Sequence, residues 1–185
     1  SNFNATHHVF FVYIHIVKIQ GIVYMSAPII RPILKKDNPQ IASVIRKVLI
    51  DFGVPKVGTA YADKTLDTLY EVYQKPRAIY FVIESENIIL GGGVISQLDN
   101  CEENICELQK MYFLEESRGI GLVSKLFDLC MYYAKHFLFE KCYLETMTYM
   151  EAAQKLYLKN NFEYIDGPLG NTGHYSCPVH MLRTV

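Results

Sequence analysis

The sequence predicts a mixed α/β fold: a mostly antiparallel central sheet with helices on both faces. Three observations lead there. Strand-like runs rich in Val, Ile, Phe and Tyr follow one another between residues 77 and 114 with only short polar turns between them, which suits antiparallel neighbours. Stripes of apolar residues at helical spacing interrupt the strands on either side of that run. Half of the 185 residues are hydrophobic and a fifth are charged, enough to build one real core but short for two. The order βα(α)βββαβαββ is not a strict βαβ alternation, so a doubly wound parallel sheet is not expected.

Each element has its own warrant. "IIRPIL" (29–34) is a first strand. Asp37 is placed to cap the helix that follows, with Pro39 in its first turn. Ile41, Val44, Ile45, Val48, Leu49 and Phe52 recur at i, i+3, i+4, i+7, i+8 and i+11, one apolar face of that helix. A loop rich in Gly and Pro leads to a short helix near 63–74. "RAIYFVIES" and "IILGGGVISQL" are two strands joined at Ser85–Asn87, and Gly91–Gly93 inside the second mark either a close backbone approach or a weak strand start. "NICELQKMYFL" is a longer strand, followed by a helix over 121–137 whose stripe is Leu122, Leu126, Leu129, Cys130, Tyr133 and Phe137. The strand "KCYLETM", the helix "EAAQKLYLKN", the strand "FEYIDG" and the strand "HYSCPVHMLR" complete the chain. Pro178 within the last predicts a sheet edge or a bulge.

Residues 1–24 read differently. "VFFVYIHIVKIQGIVY" is apolar and strand-like, yet short of the twenty or so apolar residues a spanning helix needs, and it lacks the flanks of a signal peptide. These residues are expected to lie outside the core domain, which takes up 25–185. A homodimer is one arrangement that would bury such a run. A net charge of −1 offers no basic excess for a nucleic-acid backbone. The five cysteines form no C-x-x-C pair, and the grouping of His174, Cys177 and His180 is too sparse for a metal site, so no metal is expected. Reduced thiols, a cytoplasmic setting and no membrane partner follow.

The stretch "ESRGIGLVSKL" (116–126) carries the chemistry. Gly119 and Gly121 stand between a strand and a helix N-terminus, where main-chain N–H groups have no helical acceptor and the dipole adds positive charge. Such a turn suits a diphosphate. It is not the G-x-x-x-x-G-K-S/T of a nucleoside-triphosphate loop, and Ser124 stands where a dinucleotide fingerprint needs its third glycine. By itself so short a Gly-x-Gly reads better as a tight corner than as a ligand site.

Its neighbourhood changes that balance. Arg118-Gly119-Ile120-Gly121-Leu122-Val123 resembles the acetyl-CoA-binding motif of the GNAT superfamily of N-acetyltransferases, Q/R-x-x-G-x-G/A. Downstream, "EAAQKLYLKNNFEYI" is similar to the family's A-x-x-L-Y-x-K-x-G-F element through Ala153, Leu156, Tyr157, Lys159 and Phe162. The resemblance covers residues 29–183 and is most specific over 107–165. It implies the GNAT fold, acetyl-CoA as acyl donor, and transfer of the acetyl group to a primary amine of a small molecule or peptide by direct attack in a ternary complex.

The resemblance also implies residue roles. Main-chain groups of Met111 and Phe113, beside Tyr112, would bond the pantetheine arm, and Arg118 to Ser124 would hold the diphosphate. Tyr157 occupies the family's general-acid position. A phenol near pKa 10 need not be strongly perturbed to donate to a thiolate whose thiol titrates near 8.5; on its helical stripe alone, Tyr157 would be read as packing. Glu107 is the candidate base, with Glu145 in reserve. At period two Glu107 shares a face with Gln109, Met111 and Phe113; whether it is a base or an ordinary strand carboxylate stays open.

Three departures from the pattern stand out. Val123 replaces a Gly or Ala, Met150 replaces an Asn that contacts the cofactor, and Asn161 replaces a Gly. The first two leave a non-catalytic acyl-CoA-binding or sensing module as the alternative. Tyr61, Asn171, His174 and Tyr175, in loops rich in turn formers, are the acceptor-side candidates.

Overall fold

The computed structural model describes residues 27–185 except 55, 58, 59, 174 and 175. The apolar extension expected over 1–24 lies outside the described residues. The strands are β1 (Ile29–Pro32), β2 (Ile79–Ser85), β3 (Ile88–Gln97), β4 (Ile105–Phe113), β5 (Lys141–Thr146), β6 (Glu163–Ile165) and β7 (Val179–Thr184). The α-helices are α1 (Asn38–Asp51), α2 (Leu69–Val72), α3 (Leu122–His136) and α4 (Glu151–Lys159). The strands form one sheet in the order β1-β2-β3-β4-β5-β7-β6, antiparallel everywhere except between β4 and β5. No helix among the described residues is long and apolar enough to cross a membrane.

Helices cover both faces because the strands alternate. On β2, Tyr80 and Val82 join a core with Ile41, Ile45 and Leu49 of α1. Phe81 and Ile83 turn the other way, into a core with Leu126, Phe127 and Cys130 of α3 and Tyr157 of α4. The predicted stripe of α1 is buried from Ile41 to Leu49, whereas Phe52 is 39% exposed at the helix end.

Two local expectations are corrected. Asp37 precedes α1 without capping it. Its carboxylate accepts instead from the Leu34 N–H (2.7 Å) and from both terminal nitrogens of Arg31 (2.6 and 3.0 Å), which between them engage both of its oxygens. The last strand begins after Pro178, and β7 sits between β5 and β6. Pro178 therefore stands outside the ladder, where its missing N–H costs nothing.

The feature that shapes the site is in β4. Val94 and Gly92 of β3 pair with Gln109 and Tyr112, so Lys110 and Met111 together oppose Gly93. Lys110 takes up the extra residue at φ +55. This is a β-bulge, and it inverts the side-chain alternation of the strand. Cys106 and Leu108 face the α3 core before it; Met111 and Phe113 face that core after it, and Tyr112 and Leu114 face the α1 side. The face expected to unite Glu107, Gln109, Met111 and Phe113 is thus broken at Lys110.

The glycines of β3 answer the bulge. A Cβ on Gly93 would strike the Met111 sulfur, and one on Gly92 would lie 2.7 Å from the Phe81 carbonyl oxygen. Close approach, not a weak strand start, explains the triplet. Gly92→Ala is expected to cost roughly 1–3 kcal/mol by overpacking against main chain. Urea unfolding should show a lowered midpoint with an unchanged slope.

Candidate active site

Pairing between β4 and β5 stops at Glu107–Tyr143, while pairing between β4 and β3 continues to Phe113. Past Leu108 the two parallel strands therefore part. The gap opens into a cleft of about 500 Å³ whose walls include Met111, Tyr112, Val123, Met150 and Tyr157.

Arg118 and Gly119 form one end of this cleft. Gly119 and Gly121 have φ of +74° and +82°, a region that favours glycine, and nothing lies within 4 Å of where a Cβ would sit on either. Packing does not demand these glycines; backbone shape does, and the space above them is open. Gly121 is the N-cap of α3, and the Lys125 N–H bonds back to its carbonyl at 3.0 Å. The N–H groups of Leu122, Val123 and Ser124 precede that first helical bond. The Leu122 side chain is buried below in the core, whereas Ile120 is 60% exposed and Ser124 is also exposed. Arg118 turns inward: its Nε and Nη2 donate to the Phe113 carbonyl at 3.0 and 2.6 Å, and its guanidinium lies 5.3 Å from the centre of the Phe52 ring.

A second, narrower cleft of about 60 Å³ meets the first, sharing Met111, Tyr112, Met150, Ala153 and Tyr157 with it. Glu107, Lys110, Glu145 and Cys177 also line it. Tyr157 thus stands where the two meet. It is 6% exposed, its ring packs on Phe127 and Phe162, and its hydroxyl has no hydrogen-bond partner among the described residues. Burial pushes the phenol well above its ordinary pKa, so it keeps its proton.

Glu107 is 2% exposed, and its Oε2 accepts from Gln109, whose own Oε1 accepts from the Tyr73 hydroxyl at 2.6 Å. Burial raises the Glu107 carboxyl to about 8; the Gln109 bond works against that rise and the Glu145 charge adds to it. Lys110 is buried by the bulge and sits 2.7 Å from Asp63. Burial opposes the charge on Asp63, but the Lys110 ammonium and the Thr65 donors prevail and hold it at about 2. Glu145 accepts from the Tyr143 hydroxyl at 2.7 Å and the Thr172 hydroxyl at 2.9 Å.

Residues 47–162 match the sequence profile of the acetyltransferase (GNAT) family. The uncharacterized N-acetyltransferase YjgM of Escherichia coli (strain K12) is 46% identical over 159 residues, 85% of this chain and 95% of that protein. The chain belongs to the GNAT family. It is an acyltransferase. The solved structures that share this fold include a GNAT acetyltransferase from Staphylococcus aureus Mu50 (TM-score 0.75, 20% identity, 85% of this chain and 99% of that one). PaiA N-acetyltransferase from Thermoplasma acidophilum, solved in complex with coenzyme A, is another (0.67, 14%, 86% and 100%). A third is YncA from Salmonella typhimurium, solved with acetyl-CoA (0.67, 16%, 86% and 94%).

Against this GNAT frame the sequence-derived site residues divide. Met111, Tyr112, Phe113, Arg118, Gly119, Val123, Met150 and Tyr157 line the first cleft and Glu107 the second, whereas Ile120, Gly121, Leu122 and Ser124 are outside the lining of both. Of the main-chain groups expected to meet a ligand, the Phe113 carbonyl is already held by Arg118. The acceptor-side candidates fare less well. Tyr61 is half-buried beside the α1 core with the Lys56 ammonium 5.2 Å from its ring centre, and neither cleft includes it. Asn171 is exposed, and its N–H bonds the Asp99 carbonyl at 3.1 Å; it is the next residue, Thr172, that reaches Glu145. His174 and Tyr175 lie outside the described residues.

Lys110 and Cys177 line the acetyltransferase's second cleft without having been singled out. For Lys110 the only sequence signal is a cation inside an apolar strand, and the spacing of Cys177 from His174 and His180 raises only the question of a metal. Burial, with Glu145 and Glu107 nearby, pushes the Cys177 thiol up to about 11.

The folded enzyme holds the Glu107 proton up to about pH 8, whereas an unfolded chain releases it near 4.3. This carboxyl therefore favours the fold at low pH, and that contribution is lost as pH rises through about 8. Glu107→Gln is expected to melt above the parent at pH 9, by a wider margin than at pH 5. Thermal melts across that range check it, and a margin that narrows with rising pH contradicts it.

Proposed function

We propose that this acetyltransferase moves an acetyl group from acetyl-CoA to a primary amine by direct attack within a ternary complex. The observation that carries the reading is the position of Tyr157 in the wall of both clefts, one reaching Arg118 and Gly119 at the start of the glycine turn and the other bearing Glu107. The open space above two left-handed glycines, with the N-terminal amides of α3 beyond them, fits the diphosphate of a coenzyme. Residues 119–124 would hold it. The part of β4 that has left β5 would lie along the pantetheine arm, with one of its N–H groups available to the thioester oxygen.

In this scheme the amine enters by the second cleft. Its nitrogen bonds to the acetyl carbon while the carbon–sulfur bond breaks. Glu107, ionised above about pH 8, takes the proton from nitrogen, directly or through water. The Tyr157 phenol donates to the departing sulfur. Because its pKa is raised, it acts first as a hydrogen-bond donor and gives up its proton only as the sulfur loses water. A covalent acetyl-cysteine is disfavoured, since the Cys177 thiol at about 11 is almost wholly protonated near neutral pH.

Incubation with acetyl-CoA and a panel of amines, with detection of free thiol, tests the proposal. Tyr157→Phe is expected to lower kcat by about 10²-fold while coenzyme A affinity, measured by calorimetry, stays unchanged. Loss of affinity with unchanged turnover would contradict the assigned role. The kcat of the parent should rise with pH through about 8, and Glu107→Gln should flatten that limb.

A further inference from the structure

Resting on the acetyl-transfer reading above, we infer that Tyr73 is a positioning residue for this reaction: through Gln109 it turns an amide N–H toward Glu107 and so readies that carboxylate to take the proton of the amine. Tyr73 lines neither cleft. It acts at one remove.

The fold brings three residues from two parts of the chain into one line of hydrogen bonds. Glu107 and Gln109 stand two residues apart on β4, ahead of the Lys110 bulge, so both face the α1 side of the sheet. Tyr73 follows the last residue of α2, where its N–H bonds the Leu69 carbonyl at 3.1 Å, and it is 7% exposed in the core that α1 covers. Its hydroxyl meets the Gln109 Oε1 at 2.6 Å, and the Gln109 Nε2 meets the Glu107 Oε2.

The direction of this line follows from chemistry. An ionised carboxylate can only accept, so it selects the nitrogen end of the Gln109 amide and leaves the oxygen end to Tyr73. Tyr73 can serve that oxygen because burial keeps its phenol protonated. A protonated Glu107 has another choice: it can donate to the oxygen of a reversed amide, whose nitrogen then donates to Tyr73. The bond into an ionised carboxylate is the stronger of the two, and aligned bonds reinforce one another. Loss of the Tyr73 hydroxyl therefore weakens the ionised state more than the protonated one.

Other groups also act on Glu107. Glu145 and Tyr143 approach it from β5, Lys110 from β4 itself, Asp99 from the turn after β3 and Cys177 from the segment before β7. Asp63 stands beside Lys110, and the His180 ring of β7 stacks on that of Tyr143. All of them remain in a Tyr73→Phe variant, so comparison with the parent isolates one hydroxyl. The ring that packs on Tyr80, with centres 5.7 Å apart, is kept as well.

The test uses the full chain made with glutamate isotope-labelled at its side-chain carboxyl. NMR follows the Glu107 carboxyl, assigned as the signal missing from Glu107→Gln, through its titration near pH 8. In Tyr73→Phe the midpoint is expected to rise by about half a pH unit or more, the size of one hydrogen bond lost from a charged group. The rising limb of kcat, measured with acetyl-CoA and the panel amine that releases thiol fastest, should move up by the same amount, with the KM for acetyl-CoA unchanged. Gln109→Met, which removes the amide at similar volume, should move both further. Tyr80→Phe is the control: it deletes a buried hydroxyl that has no hydrogen-bond partner among the described residues, and it should move neither. A Glu107 midpoint that stays put or falls in folded Tyr73→Phe or in Gln109→Met, or that rises equally in Tyr80→Phe, overturns the inference and leaves acetyl transfer standing. A midpoint that rises while the kcat limb stays put removes Glu107 as the base, and with it the part of Tyr73 in the reaction. Absence of thiol release with every amine overturns the reaction and this role together.

Discussion

The site depends on one constraint: β4 must satisfy two neighbours that ask different things of it. Toward β3 it keeps its ladder to the end, but only by inserting Lys110 as an extra residue opposite Gly93. Toward β5 it gives up pairing after Glu107. A bulge bends a strand and increases its local twist, and the parting of β4 from β5 lies just at this point. From it come the cleft, the burial of Lys110 and the placing of Glu107 and Tyr112 on the same side of the sheet. The three small residues of β3 allow the bend, since side chains there would collide with Met111, Phe113 and the Phe81 main chain.

Burial then sets the chemistry. The protein keeps a carboxyl, a phenol and an ammonium largely out of water around one narrow space. Glu107 resists ionisation and Tyr157 holds its proton, while the Lys110 nitrogen sits 2.7 Å from Asp63. In the proposed reaction Glu107 would serve as the base and Tyr157 as the acid, each with a proton affinity set by its surroundings. This arrangement costs stability, because burying a carboxyl that ionises in the working range works against the fold. The Gln109–Tyr73 relay stabilises the charged form in part and fixes its orientation.

Much of this was legible in the residues. The apolar spacing of α1 and α3 gave their buried faces, and the Gly119–Gly121 turn together with the Tyr157 segment gave the family and the position of the first cleft. What periodicity could not give was the bulge. Nothing in "ELQKMYF" says that Lys110 will be the extra residue, because the count depends on pairing with β3 and not on β4 alone. The predicted shared face of Glu107 and Phe113 failed for that reason. Asp37 and Asn171 failed for another: turn-forming composition identifies a loop, but the partner that each polar group finds is set by tertiary approach. Arg31 reached Asp37 first, and the loop carrying Asn171 turned its neighbour Thr172 to Glu145.

The bond from Arg118 to the Phe113 carbonyl has one more consequence. It ties the end of β4 to the corner that precedes α3, and Ser117, wholly buried, adds a hydroxyl bond to the Leu114 carbonyl at 2.8 Å. The corner is therefore shaped by the chain's own contacts before any anion reaches it. Little ordering entropy remains to be lost on association there, so a coenzyme would dock on a finished surface, with no folding of the loop to wait for.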